Sequence, residues 1–266
     1  MTGSTKRSRR EEDRSLETRL FRGTPSASLD QHGVAKRLAL VIDWLPGGRP
    51  DVLDVGCGLG LYLEALSAHS SRATGIDISD EYLRSCAARV SMPNTCLIQM
   101  DAQHLAFSQN SFDAAIMIET LEHIPNDAAA IREISRVLKP NGIVIISVPS
   151  KLFLFETHPV RIGRRTVGSR WGTGIPLLPL LPGWVRKHFA TVRLYHPSEL
   201  RQMLEMNGLA VCKVEFLMPS LDTLAKKVPV SWDSVVRSLK RALDWLEGSP
   251  LRVLGSTIVV RAKRVA

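Results

Sequence analysis

Cysteine is scarce in this chain: four in 266 residues, Cys57, Cys86, Cys96 and Cys212, with no Cys-x-x-Cys pair. Such scatter excludes a zinc ribbon or a disulfide framework and fits reduced thiols in a cytosolic setting. Aromatic residues make up only 6%, which counts against recognition of RNA by base stacking. No apolar run is as long as a membrane span, and the N-terminus has no hydrophobic signal core. The expectation is a cytoplasmic protein, soluble or at most peripheral on a membrane surface. Repeats are missing too, and low complexity is confined to the N-terminal tail.

What is present describes a globular enzyme-sized chain. The hydrophobic fraction is 44%, enough for one large α/β domain with appendages. The net charge of +9 is unevenly spread. Residues 1–22 carry seven basic and four acidic side chains, residues 50–150 six and twelve, and residues 151–196 eight and one. A basic tail and a basic insertion thus flank an acidic core. That pattern suits an anionic substrate, an anionic lipid surface or nucleic acid.

The chain is organised around Asp51-Val52-Leu53-Asp54-Val55-Gly56-Cys57-Gly58-Leu59-Gly60. A short buried-strand pattern runs into alternate glycines and then an apolar-periodic helix, Leu61 to Ala68. Glycine lets backbone approach a ligand closely, and the helix N-terminus offers free N–H groups. The spacing is not the dinucleotide pattern Gly-x-Gly-x-x-Gly, and Asp54 puts a carboxylate where a pyrophosphate would sit. A ligand with a cationic end fits better.

Asp54-x-Gly56-x-Gly58-x-Gly60 resembles the first motif of the class I S-adenosylmethionine (SAM)-dependent methyltransferases, of the type 11 group. Later pieces arrive in that family's order, closely over 30–150 and more loosely over 197–217 and 254–264. The resemblance implies a Rossmann-like, doubly wound, seven-stranded and mostly parallel sheet with SAM as cofactor. Residues 29–150 would form the SAM-binding core after a basic, disordered tail at 1–28. A basic and apolar lid would occupy 151–196. Residues 197–266 would complete the sheet, with an amphipathic helical insertion at 221–247.

The site residues follow from the same resemblance. Asp54, Gly56, Cys57, Gly58 and Gly60 would hold the methionine part of SAM. Asp77 lies 23 residues beyond Asp54, near the spacing at which nucleotide folds place a ribose-binding acid; the alternative for it is a helix N-cap. Ile78 would flank the adenine, and Asp101 and Ala102 would meet its amino group and ring nitrogen. At the end of the fourth strand, Glu119-Thr120-Leu121-Glu122-His123 is similar to the loop of ubiquinone-biosynthesis O-methyltransferases. Glu119 would also face SAM. Glu119, Glu122 and His123 can supply two hard oxygens and an imidazole to a cation, or a general base. The expectation is no metal, with His123 nearest the transfer.

The acceptor has to be read from the lid. Apolar, proline-broken Gly174–Gly183 lies between Trp171 and Trp184, with Arg161, Arg164, Arg165, Arg170, Arg186 and Lys187 around it. An oily segment rimmed by Trp and cations suits a lid over a hydrophobic acceptor with an acidic head, or a surface resting on anionic lipid. Leu221 to Leu246 reads as a basic amphipathic helix, packed on the domain or touching a membrane. The reading is methyl transfer to a lipid-like or prenylated quinol-like acceptor. Its rivals are a soluble metabolite as acceptor, and a SAM-binding regulator without catalysis.

Overall fold

The computed structural model describes residues 32–90, 92–156, 160–162, 165–167, 175–177, 179, 181, 185, 188–189, 191–219 and 232–265. The basic tail and the lid side chains Trp171, Trp184, Arg164, Arg170, Arg186 and Lys187 lie outside the described residues.

In chain order, the core elements are α1 (His32–Trp44), β1 (Asp51–Val55), α2 (Leu61–His69), β2 (Arg72–Asp77), α3 (Asp80–Arg89) and β3 (Thr95–Gln99). β4 (Phe112–Ile118), α4 (Asp127–Val137) and β5 (Leu138–Pro149) follow. Between β5 and the next long helix the described residues hold four short strands, β6 (Phe155–Glu156), β7 (Val160–Ile162), β8 (Arg165–Val167) and β9 (Ile175–Pro176). The chain closes with α5 (Pro197–Met206), β10 (Leu209–Leu217), α6 (Asp233–Glu247) and β11 (Thr257–Arg264).

Seven strands form one sheet in the order β10-β11-β5-β4-β1-β2-β3. β1 to β5 pair in parallel, while β11 runs antiparallel to both β5 and β10. The fold is therefore the Rossmann-like, doubly wound and mostly parallel sheet that the family resemblance implies. Alternation along each strand separates two cores. Leu53, Val55, Ala115, Met117, Val144 and Ile146 face α4 and α5. Val52, Ala114, Ile116, Ile143 and Ile145 face α1, α2 and α3. Helices on both faces explain why the central strands read as unbroken apolar runs.

Local chemistry sets the helix starts. Ser79 accepts from the Tyr82 N–H to cap α3, and Asn126 accepts from the Ala129 N–H to cap α4. At α5, His196 accepts from the Ser198 N–H while the Glu199 side chain accepts from the His196 N–H, and Pro197 occupies the first turn. Such reciprocal caps satisfy donors that a helix leaves open.

The fifth strand runs from Leu138 to Pro149. It turns at Lys139–Gly142, where the pairing with β4 passes from Leu138 to Ile143 and Asn141 sits at φ 67°. Lys139 Nζ donates to Asp113 at 2.7 Å and keeps that stretch beside the sheet. Among the described residues the amphipathic helix begins at Asp233, and 220–231 lie outside them.

Strand order reverses between β1 and β4, because β2 and β3 extend one way and β5 the other. A crevice opens outside the carboxyl ends of strands at such a switch point. The glycine loop after β1 and the Glu119–Pro125 loop after β4 meet there.

Candidate active site

The loop after β1 turns through three glycines, at φ 75°, 52° and 78° for Gly56, Gly58 and Gly60. They are not equivalent. A Cβ at Gly56 would stand 2.3 Å from Thr120 Cγ2, and one at Gly60 2.4 Å from Cys86 Sγ. Packing forbids a side chain at both. A Cβ at Gly58 would meet nothing within 4 Å, so its bareness faces the open crevice. The N–H groups of Gly56 and Cys57 both donate to the Ile76 carbonyl, at 2.8 and 2.9 Å. Cys57 is buried, and its hydrogen bond with Cys86, together with burial, pushes its thiol up.

Asp54, at the end of β1, is a buried carboxyl whose Oδ2 has no hydrogen-bond partner. Burial, then the neighbouring Cys86 and Asp77, push it up to about 8. In the free protein it holds a proton at neutral pH.

Asp77 does not cap α3, since Ser79 has that role. Its Oδ2 accepts from the Gly58 N–H at 2.9 Å and its Oδ1 from the Ser79 N–H at 2.8 Å. Ile78 beside it is 57% exposed, an apolar side chain at the crevice mouth. Asp101 accepts from the Gln103 N–H at 2.8 Å and from the Gln103 amide at 3.1 Å, with half-buried Ala102 between them. Gln103 Oε1 in turn accepts from the Asn126 N–H at 3.1 Å and ties the third-strand loop to the fourth.

Glu119 opens the fourth-strand loop at φ 51°, a left-handed conformation uncommon outside glycine. Its N–H donates to the Ser147 carbonyl, and its Oε1 accepts from the Ser147 hydroxyl at 2.6 Å. Arg37 Nη1, from α1, lies 3.6 Å from the same oxygen, while its Nε donates to the Tyr62 hydroxyl at 3.2 Å. Burial alone would lower the Arg37 guanidinium, but Glu119, Tyr62 and Glu122 outweigh it and hold it charged. Glu122 is fully enclosed, and neither oxygen finds a hydrogen-bond partner outside its own backbone. Burial first, and then Glu119, raise it well above the usual carboxylate range. His123 Nε2 stands 4.0 Å from Glu122 Oε1. The carboxyls of Glu119 and Glu122, the His123 imidazole and, from α1, the Arg37 guanidinium thus come together in one place. Among the described residues no three His, Cys, Asp or Glu side chains converge as a metal-binding set.

A methyltransferase domain family matches residues 53–146. A ubiquinone biosynthesis O-methyltransferase of Dechloromonas aromatica (strain RCB) is 30% identical over 219 residues, 77% of this chain and 84% of that one. The chain belongs to the S-adenosylmethionine-dependent methyltransferases. Solved structures agree in fold. A SAM-dependent methyltransferase from Mesorhizobium loti superposes with TM-score 0.62 at 22% identity, over 89% of this chain and all of that one. The N-methyltransferase NodS of Bradyrhizobium japonicum, in complex with S-adenosylhomocysteine, gives 0.57 at 14% identity, over 94% and 97%.

Within this methyltransferase, the segment just before α5 grips the fourth-strand loop. The Tyr195 hydroxyl lies 3.0 Å from Asp127 Oδ2 and 3.3 Å from the Leu121 carbonyl. The Arg193 N–H donates to the Glu122 carbonyl at 3.3 Å, and its guanidinium pairs with Asp127 and reaches the Pro125 carbonyl. Ser150 bridges Tyr195 in parallel, so the segment between them leaves and returns beside the carboxyl end of β5.

Sequence reasoning missed Arg37, Tyr62, Gln103, Arg193 and Tyr195. Arg37 left a signal. It falls three residues after buried Val34 and four before buried Val41, so a charged side chain sits on the inward stripe of α1. The others carry no local pattern.

Proposed function

We propose that the enzyme methylates a hydrophobic or amphipathic acceptor with a polar or acidic head, as an O-methyltransferase acting on a lipid or a prenylated quinol-like molecule. The observation that carries this reading is the lid. Its two ends meet at Ser150 and Tyr195, Tyr195 bonds the fourth-strand loop, and its described residues Leu154, Phe155 and Leu177 stay exposed. A greasy cover fastened at the reacting end of the crevice suits an acceptor that is itself greasy. The named activity of the Dechloromonas relative points the same way.

The crevice fits SAM on its own features. The orphaned Oδ2 of Asp54 awaits a cation, and the space over Gly58 admits a ligand against bare backbone. The methionyl end of SAM is a zwitterion, and Arg37 with Glu119 offers the opposite pair of charges. Asp77 would accept from the ribose hydroxyls, and Asp101 with the Ala102 N–H would meet the adenine, over Ile78. When bound, SAM supplies a methyl group made electrophilic by its sulfonium. The protein aligns the acceptor, excludes water and takes up its proton. His123 is the base in this reading. The Arg193–Asp127–Tyr195 cluster fixes the loop that carries Glu119, Glu122 and His123.

Single-turnover transfer of labelled methyl from SAM to a lipid extract tests the proposal. Label in the organic phase is the expected result. Label found only in water-soluble products would hand the site to a soluble metabolite.

A further inference from the structure

The exposed surface of α6 is left unused by the chemistry above. Its inner side is settled by contacts. Val236 is buried, and Glu247 accepts from the Met218 N–H at 2.8 Å and from Lys36 Nζ at 2.7 Å. Val235, Leu239, Ala242 and Leu246 recur at i, i+4, i+7 and i+11, which makes a second apolar stripe beside that side. Much of it is uncovered: Val235 is 53% exposed and Leu239 45%, while Leu246 is half-buried. Trp232 and Trp245 stand near the two ends of the helix, Trp245 being 71% exposed. The short helix Pro250–Leu254 packs beside α6 and adds exposed Leu251 and Val253. Arg237 and Arg241 project from the remaining, polar side.

We propose that this face docks on an anionic lipid bilayer and holds the crevice against it. An uncovered apolar stripe with tryptophans near its ends and arginines on its polar flank is the composition of a helix lying in a membrane interface. The net charge of +9 favours the anionic surface over a neutral one. No described helix is long and apolar enough to cross a membrane, so the contact lies in the plane of the interface. The placement has a purpose. Lys36, which clamps α6 through Asp244 and Glu247, directly precedes Arg37, which lies in the crevice. A docked α6 therefore brings α1 and the crevice mouth to the membrane, within reach of an acceptor dissolved there. In that respect the proposal rests on the hydrophobic-acceptor reading.

Flotation of the full chain with vesicles tests it. The protein should rise with phosphatidylglycerol–phosphatidylcholine vesicles, stay behind with phosphatidylcholine alone, and lose part of its binding at high salt. Leu239→Ser with Trp245→Ser should cut vesicle binding about tenfold or more. Arg237→Glu with Arg241→Glu should abolish the preference for the anionic lipid. Both variants alter exposed side chains, so unchanged melting and unchanged SAM affinity confirm that each is folded. A wild type that never floats, or a serine variant that floats as well as the wild type, overturns the docking. So does a dimer in sedimentation that the serine variant breaks, which would give the face to a second copy of the chain. Flotation without label in lipid overturns the acceptor reading and leaves the docking standing.

Discussion

The Gly58 N–H donates to Asp77 Oδ2 across 2.9 Å and so joins the loops that follow β1 and β2. One carboxylate fixes the open floor of the crevice while Ser79 holds its other oxygen. A carboxylate has about four lone-pair sites, so two remain for hydroxyls of a ribose. Asp77→Ala should therefore weaken SAM binding by about 2–4 kcal/mol, or roughly 30- to 1,000-fold. It should also lower the melting temperature, because two N–H groups lose their acceptor. Titration calorimetry checks the first effect, and unchanged affinity refutes the ribose assignment.

Asp54 predicts a pH dependence. Its folded value of about 8 lies above the 3.8 of a free aspartate, so the folded protein holds the extra proton between the two. Stability is unaffected by this group below that window and falls as pH rises through it. Asp54→Asn should then stabilise the free protein by on the order of 1–3 kcal/mol at pH 8 and hardly at all at pH 4. A bound cation lowers the value, so SAM should bind more tightly at pH 8 than at pH 6 and release a proton as it does. Calorimetry in buffers of different ionisation enthalpy counts that proton. Equal counts for Asp54→Asn and the wild type would remove Asp54 from the site.

The three glycines should part company under substitution. Gly56→Ala drives a methyl group into Thr120 and should destabilise the fold by about 3 kcal/mol or more. Gly58→Ala pays only for its left-handed backbone, about 1–2 kcal/mol, yet places the methyl where the ligand must lie. Melting curves should rank Gly56→Ala lower, while SAM affinity should collapse in a Gly58→Ala protein that remains folded.

The sheet and the crevice were legible because their causes are local. Strand, glycine and acid follow one another in Val52 to Gly60, and the apolar runs of β4 and β5 mark central strands before any contact is known. The bulge at Lys139–Gly142 was less legible because a tertiary contact shapes it: Lys139 reaches Asp113, 26 residues earlier, and a register shift absorbs the extra length. Arg193 and Tyr195 were invisible for the same reason. Their partners Leu121, Glu122 and Asp127 lie about 70 residues away in sequence, and no spacing rule links them. The upward shift of Glu122 was also out of reach, since Glu-x-x-Glu-His gives the residue types but not the enclosure that strips one carboxyl of water.

That enclosure separates Glu122 from His123. Burial and then Glu119 raise Glu122 well above the usual carboxylate range, which favours its neutral form. Glu122→Gln keeps shape and charge, and should leave melting at pH 5 nearly unchanged while stabilising the protein increasingly as pH rises. It should cost little in transfer rate, because a neutral carboxyl does not take up the acceptor's proton. His123→Asn removes the proposed base and should lower kcat about 10²- to 10⁴-fold with SAM affinity preserved, and the acid limb of the rate profile should vanish with it. Measured rates in the opposite order, with Glu122→Gln silent and His123→Asn active, would make the buried carboxyl the base and reduce the imidazole to packing.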